Sequence, residues 1–204
     1  MKSPIALITG GSRGIGAAIC EQLAADGYTV IVNYTHSKAK AEALAKRLKG
    51  KAIQADVAND AQVAAMFKTI QKEFGRLDAL VTSAGVAVLD DLATLNRTDF
   101  MKNIEINVWG TANCVHHASK LMKQGSIVCI SSTCARHATP DALAYAASKA
   151  GVEAFMVSST STLAPKIRIN VVAPGVLVSD YLTMVIANAG NAKTGTLVLY
   201  VMNQ

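Results

Sequence analysis

The 204 residues are enough for one domain with a substantial buried core, and 51% of them are hydrophobic against 17% charged. Such a balance is typical of a globular α/β protein, and without a long apolar run or a signal-peptide pattern we expect neither a membrane protein nor an exported one. The net charge of +6 suits an anionic ligand or partner, but the basic residues are scattered, so nucleic-acid binding is the weaker interpretation.

The four cysteines, Cys20, Cys114, Cys129 and Cys134, form no C-x-x-C pair and do not group with histidines at the spacing of zinc ligands. We therefore expect free thiols and no metal site. Cysteines used in this way are typical of a reducing compartment, so the sequence predicts a cytoplasmic protein.

Short apolar runs alternate with longer amphipathic ones along the chain. The apolar runs predict strands over residues 5–9, 28–33, 51–55, 77–83, 126–131 and 168–173. The amphipathic segments predict helices over residues 16–26, 38–49, 60–74, 99–123 and 142–163. Strands that alternate with helices of this length build βαβ units. We therefore predict a single α/β domain over residues 1–204, with a Rossmann-type, doubly wound parallel sheet of about seven strands and helices on both faces.

The first predicted strand ends in a glycine-rich turn, Thr9-Gly10-Gly11-Ser12-Arg13-Gly14-Ile15-Gly16, and a predicted helix follows. Gly10 permits a tight turn, Gly14 lets the backbone approach a phosphate, and Gly16 lets the helix pack closely on the sheet. The helix N-terminus offers N–H groups and partial positive charge to an anion. A turn without a ligand is the alternative, but its position between a strand and a helix favours a dinucleotide site.

The spacing of this turn, T-G-x-x-x-G-x-G, resembles the glycine motif of the short-chain dehydrogenase/reductase family. The resemblance covers residues 5 to about 180 and comes nearest to the β-ketoacyl carrier-protein and acetoacetyl-CoA reductases. It implies an enzyme that binds a nicotinamide dinucleotide at the carboxyl ends of its strands. The residues implied to contact the cofactor from the first four strand ends are Thr9, Gly10, Ser12, Arg13, Gly14, Ile15, Gly16, Asn33, Tyr34, Thr35, Asp56, Val57, Ser83, Ala84 and Gly85. For Asp56, an ordinary turn aspartate is the alternative.

The choice between NAD and NADP depends on the end of the second strand, where NAD-binding proteins carry an acidic residue. Here that strand ends in Asn33-Tyr34-Thr35, without an acid. Arg13 can offer a forked donor to the 2′-phosphate of NADP, and His36 and Lys38 are further candidates. Although Arg13 could be a solvated loop residue, the arginine and the missing acid together favour NADP as the cofactor.

Tyr145 and Lys149 lie four residues apart on one face of a predicted helix, and Ser132 lies 13 residues before the tyrosine. A carbonyl that accepts a hydride develops negative charge on its oxygen and needs an acid. A nearby ammonium is expected to lower the tyrosine pKa, and the serine hydroxyl can orient the carbonyl. An ordinary surface pair is the alternative for the tyrosine and lysine alone. The serine and the upstream glycine loop make catalysis the favoured interpretation.

The resemblance implies three further roles. Asn107 matches the family's fourth catalytic residue, which holds a water of a proton relay that starts at the lysine. Lys149 is also implied to reach the nicotinamide ribose. The segment after the sixth strand matches the one that receives the nicotinamide carboxamide, with a plain turn as the alternative; its residues are Pro174, Gly175, Leu177 and Ser179. Of the histidines, only His137 lies where the family places residues that line the substrate.

The chain departs from the family pattern in two places. Thr82-Ser83-Ala84-Gly85 stands where the family has Asn-Asn-Ala-Gly, so the contacts of the second asparagine are expected to change. The part after Gly175 is short: residues 193–201 resemble the last strand, which leaves about residues 180–192 for the substrate lid. A reduced lid predicts an open site and weak discrimination among substrates.

The amino-acid sequence leaves two functions open. The first is an NADP-dependent reductase of small carbonyl substrates or 3-oxoacyl thioesters carried on CoA or an acidic carrier, which the intact Ser132, Tyr145 and Lys149 favour. The second is a cofactor-binding regulatory protein without useful turnover, which the short lid favours. In either case we expect a homodimer or homotetramer that assembles through the two longest predicted helices.

Overall fold

A parallel sheet forms the centre of the protein, which a computed structural model describes over residues 3–137, 140–175 and 199–200. Within these residues the seven strands are β1 (Ile5–Thr9), β2 (Thr29–Tyr34), β3 (Lys51–Gln54), β4 (Ala79–Thr82), β5 (Gly125–Ile130), β6 (Ile167–Ala173) and β7 (Leu199–Tyr200). Their order across the sheet is β3-β2-β1-β4-β5-β6-β7, and all neighbours are parallel. The order reverses between β1 and β4, where open sheets of this kind bind ligands beyond the carboxyl ends of the strands.

Helices cover both faces of the sheet. They are α1 (Gly14–Ala25), α2 (Lys38–Arg47), α3 (Asp60–Phe74), α4 (Arg97–Asn103), α5 (Gly110–Leu121) and α6 (Leu143–Leu163). In β1, Ala6 and Ile8 pack into a core with α1 and α2, whereas Ile5 and Leu7 pack into a second core with α3, α5 and α6. A strand buried on both faces explains why β1 is a continuous apolar run. The predicted doubly wound α/β fold is confirmed.

The predicted helix over residues 99–123 differs from the observed one in its middle. A π-helical segment, Ile104–Trp109, joins α4 to α5, so that the helical stretch runs from Arg97 to Leu121. Asn107 lies in the π segment and is buried. The π-helical geometry is rare and is often found at functional sites.

The remaining differences concern boundaries. The helix α1 begins at Gly14, inside the glycine loop, and a 3-10 turn that the sequence did not predict covers Thr133–Ala135.

The predicted lid at 180–192 and most of the predicted last strand at 193–201 lie outside the described residues. None of the four cysteines forms a disulfide, as predicted. No helix within the described ranges is both long and apolar enough to cross a membrane.

Candidate active site

A cleft of about 670 Å³ lies beyond the carboxyl ends of the strands, at the switch point of the sheet. Its size suits a small-molecule or cofactor site. The residues predicted for the site that line this cleft are Gly10, Ser12, Arg13, Gly14, Ile15, Gly16, Tyr34, Thr35, Asp56, Val57, Ser83, Ala84, Gly85, Ser132, Tyr145, Lys149, Pro174 and Gly175. Leu177 and Ser179 lie outside the described residues.

The glycine loop has the geometry of an anion cradle. No side chain caps the N-terminus of α1, so its first N–H groups are left for another acceptor. At Gly14 the φ angle is +53° and a Cβ would meet nothing within 4 Å, which leaves open space above the backbone. At Gly16 a Cβ would lie 2.4 Å from the carbonyl oxygen of Gly10, so only glycine fits there.

Thr9 and Asn33 are buried beneath the cleft rather than lining it. The Thr9 hydroxyl accepts a hydrogen bond of 3.1 Å from the backbone N–H of Ala84, which ties the end of β4 to the end of β1. The Asn33 amide oxygen accepts from the N–H of Gly10 at 3.3 Å, while its nitrogen donates to the carbonyl of Ala55 at 2.9 Å. Both side chains therefore hold together the turns that form the cleft floor.

The cleft wall that follows β2 carries no acidic residue. Tyr34, Thr35, His36 and Ser37 line this wall, and the exposed Arg13 lies on the same cleft. Because no carboxylate follows β2, no charge on this wall repels a phosphate.

Asp56 lines the cleft after β3, where its Oδ1 accepts a 3.0 Å hydrogen bond from the N–H of Ala58. It is therefore a turn-forming aspartate that also lines the cleft, and its contact with a cofactor stays a prediction.

Lys149 lies at the base of the cleft with its ammonium directed at β5. Its Nζ donates a hydrogen bond of 2.9 Å to the carbonyl oxygen of Ile130 and lies 5.7 Å from the centre of the Tyr145 ring. Burial disfavours the charged form and lowers the pKa of Lys149 to about 8. The lysine can therefore gain or lose a proton near neutral pH.

The expectation of a lowered tyrosine pKa is wrong for this structure. Burial is the largest influence and raises the pKa of Tyr145, a hydrogen bond with Ser132 opposes it, and Cys134 adds a smaller increase. Desolvation is stronger here than the hydrogen bond with Ser132. Tyr145 consequently holds its proton throughout the neutral range.

Ser132 lies at the end of β5 and caps the 3-10 turn that follows. Its hydroxyl oxygen accepts a 3.2 Å hydrogen bond from the backbone N–H of Cys134 and also bonds with Tyr145. The strand end and the helix α6 therefore bring Ser132, Tyr145 and Lys149 to one place.

The amide of Asn107 joins the end of β4 to α6. Its oxygen accepts from the N–H of Val86 at 2.8 Å, and its nitrogen donates to the carbonyl of Val86 at 2.9 Å and to the hydroxyl of Ser148 at 2.8 Å. A Cβ on Gly85 would lie 3.0 Å from Asn107 Oδ1 and 3.5 Å from Lys149 Nζ. Asn107 therefore borders the lysine but does not line the cleft itself.

Several lining residues had no signal in the sequence. Val86 and Ala87 continue the turn after β4, Ile106 comes from the π segment, and Ile130 and Ser131 precede Ser132. They are apolar or small, and only their positions next to predicted residues could have indicated them. His137 follows the 3-10 turn, is exposed and does not line the cleft.

Comparison with known proteins identifies a matching family model and several relatives of this chain. The family model described as short chain dehydrogenase matches residues 4–193. A 3-oxoacyl-acyl-carrier-protein reductase of Staphylococcus aureus is 41% identical over 184 residues, which cover 86% of this chain and 75% of the relative. The enzyme of the same name from Staphylococcus epidermidis is 39% identical with the same coverage.

A further 3-oxoacyl-acyl-carrier-protein reductase, from Synechocystis, is 36% identical over 189 residues, or 88% of this chain and 76% of the relative. The family model covers the strands and helices that build the cleft. The chain accordingly belongs to the short chain dehydrogenase family, a family of oxidoreductases.

Proposed function

We propose that this protein is an NADPH-dependent reductase that converts a carbonyl to an alcohol, with 3-oxoacyl thioesters as its substrate class. One observation carries the proposal: Ser132, Tyr145 and Lys149 lie in the same cleft as an uncapped helix N-terminus with a glycine loop. The three side chains can transfer a proton, and the helix N-terminus with its glycine loop can bind a phosphate. Carbonyl reduction by a dinucleotide requires both.

The residues of the cleft fit NADPH. The N–H groups of α1 at Gly14, where a Cβ would meet no atom, would hold the pyrophosphate. The cleft residues that follow β2 and β3 would hold the adenosine, and the guanidinium of Arg13 would pair with the 2′-phosphate. Lys149 and the backbone of Pro174-Gly175 would hold the nicotinamide end.

Tyr145 is the general acid of the reaction. Burial raises the pKa of Tyr145, which leaves the hydroxyl protonated at neutral pH but makes it a weaker acid, so the transfer relies on stabilisation of the phenolate by Lys149. When bound, NADPH supplies a hydride to the carbonyl carbon and becomes NADP⁺. The carbonyl oxygen, which gains the electron pair of its π bond, takes the proton of the Tyr145 hydroxyl. The hydroxyl of Ser132 donates a hydrogen bond to that oxygen and orients it.

Lys149 and Asn107 return a proton to the tyrosine. The lysine ammonium stabilises the phenolate that remains after transfer and, with a pKa of about 8, can exchange its own proton near neutral pH. The Asn107 oxygen can accept two hydrogen bonds, and the N–H of Val86 uses one of them. We propose that the second holds a water that continues the relay.

Three features support a thioester substrate. The relatives from Staphylococcus aureus, Staphylococcus epidermidis and Synechocystis are named as reductases of 3-oxoacyl groups on acyl carrier protein. The net charge of +6 suits an acidic carrier or CoA. Val86 and Ala87 add apolar side chains to the lining of the cleft, which suits an acyl chain.

We also propose a homodimer or homotetramer. Trp109 and Val157 are 47% and 62% exposed on the stretch that leads into α5 and on α6. Exposed large apolar side chains on these two long helices support an assembly through them.

Turnover of NADPH with a panel of carbonyl compounds tests the proposal. The absorbance of NADPH is followed with acetoacetyl and longer 3-oxoacyl thioesters, diketones and quinones as substrates. We expect oxidation of NADPH with at least one thioester. Tight binding of NADPH without oxidation by any compound would instead identify a cofactor-binding regulatory protein.

A further inference from the structure

Glu153 carries a buried carboxylate on α6 that no step of the proposed reaction uses. The residue is 9% exposed. One carboxylate oxygen accepts a 3.0 Å hydrogen bond from the hydroxyl of Ser131, and the other accepts a 2.7 Å bond from Nε of Arg136. A buried charge is tolerated only when it is paired and hydrogen-bonded, so these two contacts are what stabilise the carboxylate in its place.

The two partners of Glu153 lie on either side of the catalytic serine. Ser131 directly precedes Ser132, and Arg136 directly follows the 3-10 turn that Ser132 begins. Glu153 lies one helical turn after Lys149 and two turns after Tyr145 on α6. The carboxylate therefore joins both flanks of Ser132 to the helix that carries the tyrosine and the lysine.

The contact with Arg136 contributes more to this connection than the contact with Ser131. The Ser131 hydroxyl also lies 3.2 Å from the backbone carbonyl oxygen of Lys149, to which it can donate when Glu153 is absent. Arg136 instead makes a charge-assisted bond with a carboxylate whose side chain is 11% exposed, and such bonds are about twice as strong as neutral ones. Loss of the carboxylate should therefore release mainly the segment that follows Ser132.

We propose that Glu153 is a positioning residue, which holds the hydroxyl of Ser132 against that of Tyr145 by bonding Ser131 and Arg136. It contacts neither substrate nor cofactor and acts only through the two flanking residues. The expected effect on turnover rests on the proposed reductase function, whereas the effect on the Ser132–Tyr145 hydrogen bond does not.

The state of that hydrogen bond can be measured without a substrate. In protein labelled with ¹³Cζ-tyrosine, the Tyr145 resonance is identified by its absence from Tyr145→Phe and is titrated by NMR. Three groups act on this phenol: Ser132 lowers its pKa through the hydrogen bond, Cys134 raises it, and Lys149 lies beside the ring. If Glu153→Gln loosens Ser132, the Tyr145 midpoint should rise by about half a unit, the equivalent of a weakened neutral hydrogen bond.

The control for this titration is Glu73→Gln. Glu73 also forms an ion pair, with Lys51, but on α3 and β3 and not on the cleft. We expect no change in the Tyr145 midpoint in this control. An unchanged midpoint in folded Glu153→Gln would overturn the proposal. If Glu153→Gln does not fold, Arg136→Gln removes the same ion pair at a side chain that is 43% exposed and decides the question.

Turnover provides the second measurement. With NADPH saturating, we expect Glu153→Gln to lower kcat about tenfold through misplacement of Ser132, and to leave the Kd of NADPH within about twofold of the wild type. Glu73→Gln should match the wild type. A merely structural role would lower Tm but leave kcat per NADPH-binding site unchanged, which would overturn the proposal. If wild type turns over no carbonyl while the Tyr145 midpoint still rises in Glu153→Gln, the reductase function fails and the positioning role stands.

Discussion

The ammonium of Lys149 donates a hydrogen bond of 2.9 Å to the carbonyl oxygen of Ile130, two residues before Ser132. This bond fixes the buried lysine at the end of β5, beside the ring of Tyr145. The single hydrogen bond does not compensate for the loss of water around the charge, so the pKa of Lys149 falls to about 8 from an ordinary value of 10.5. The charge at the base of the cleft therefore depends on pH near neutrality.

The lowered lysine pKa gives the stability of the protein a specific dependence on pH. Between about pH 8 and pH 10.5 the unfolded chain binds more protons at Lys149 than the folded protein does. The free energy of unfolding contributed by this residue therefore rises with pH through that window. Urea denaturation of the wild type and of Lys149→Met, compared at each pH, isolates the contribution. From pH 8 upward the free energy of unfolding of the wild type should rise relative to that of Lys149→Met. A difference between the two free energies that does not change with pH would contradict a buried lysine with a lowered pKa.

Tyr145→Phe should remove the proton donor and leave the cleft intact. We expect kcat to fall by about three orders of magnitude, because general acid catalysis contributes a factor of this size. The Kd of NADPH, measured by fluorescence, should change less than about threefold, since one hydroxyl among many cleft groups is lost. A variant that keeps its kcat would show that another group supplies the proton. Tyr28→Phe, on a tyrosine that does not line the cleft, is the matched control.

Arg13→Ala should weaken NADPH binding more than NADH binding. The loss of a charge-assisted contact with the 2′-phosphate is expected to raise the Kd of NADPH about tenfold or more. NADH lacks that phosphate and should bind nearly as before. Arg47→Ala removes a guanidinium that is also exposed but pairs with Glu21 away from the cleft, and it should affect neither cofactor. An equal loss of both cofactors in Arg13→Ala would contradict the phosphate contact.

Gly16→Ala and Gly14→Ala should affect NADPH binding and stability through different causes. At Gly16 the added methyl would lie 2.4 Å from the carbonyl oxygen of Gly10, so the glycine loop must move and NADPH binding should be largely lost. At Gly14 the methyl meets no protein atom but would occupy the space proposed for the pyrophosphate, so NADPH binding should weaken without a rearrangement of the loop, and the strain of the positive φ should lower the free energy of unfolding by about 1 kcal/mol. Isothermal calorimetry with NADPH and thermal unfolding measure both effects. Intact NADPH binding in Gly16→Ala would refute the close packing of α1 on the loop.

The sequence predicted the floor of the cleft well because backbone geometry there needs particular residue types. The sequence alone identifies the glycine loop, the absence of an acid after β2, and the spacing of Ser132 and Tyr145. Parallel βαβ units then bring all strand ends to one edge of the sheet, so these residues had to meet.

The sequence could not predict what depends on burial or on contacts between distant segments. The raised pKa of Tyr145 comes from desolvation, which the spacing of tyrosine and lysine does not reveal. The π segment around Asn107 has the same apolar spacing as an α-helix would need. The bond between Arg136 and Glu153 joins a turn to a helix, and only the packed structure brings these two side chains together.

The most direct test of the central claim is the transfer of deuterium from NADPH labelled at the hydride position to a 3-oxoacyl thioester. The product is analysed by mass spectrometry after incubation with the wild type and with Tyr145→Phe. We expect a 3-hydroxyacyl thioester with one deuterium on the carbinol carbon from the wild type, and almost none from the variant. An unlabelled alcohol, or equal yields from the two proteins, would contradict hydride transfer with Tyr145 as the acid.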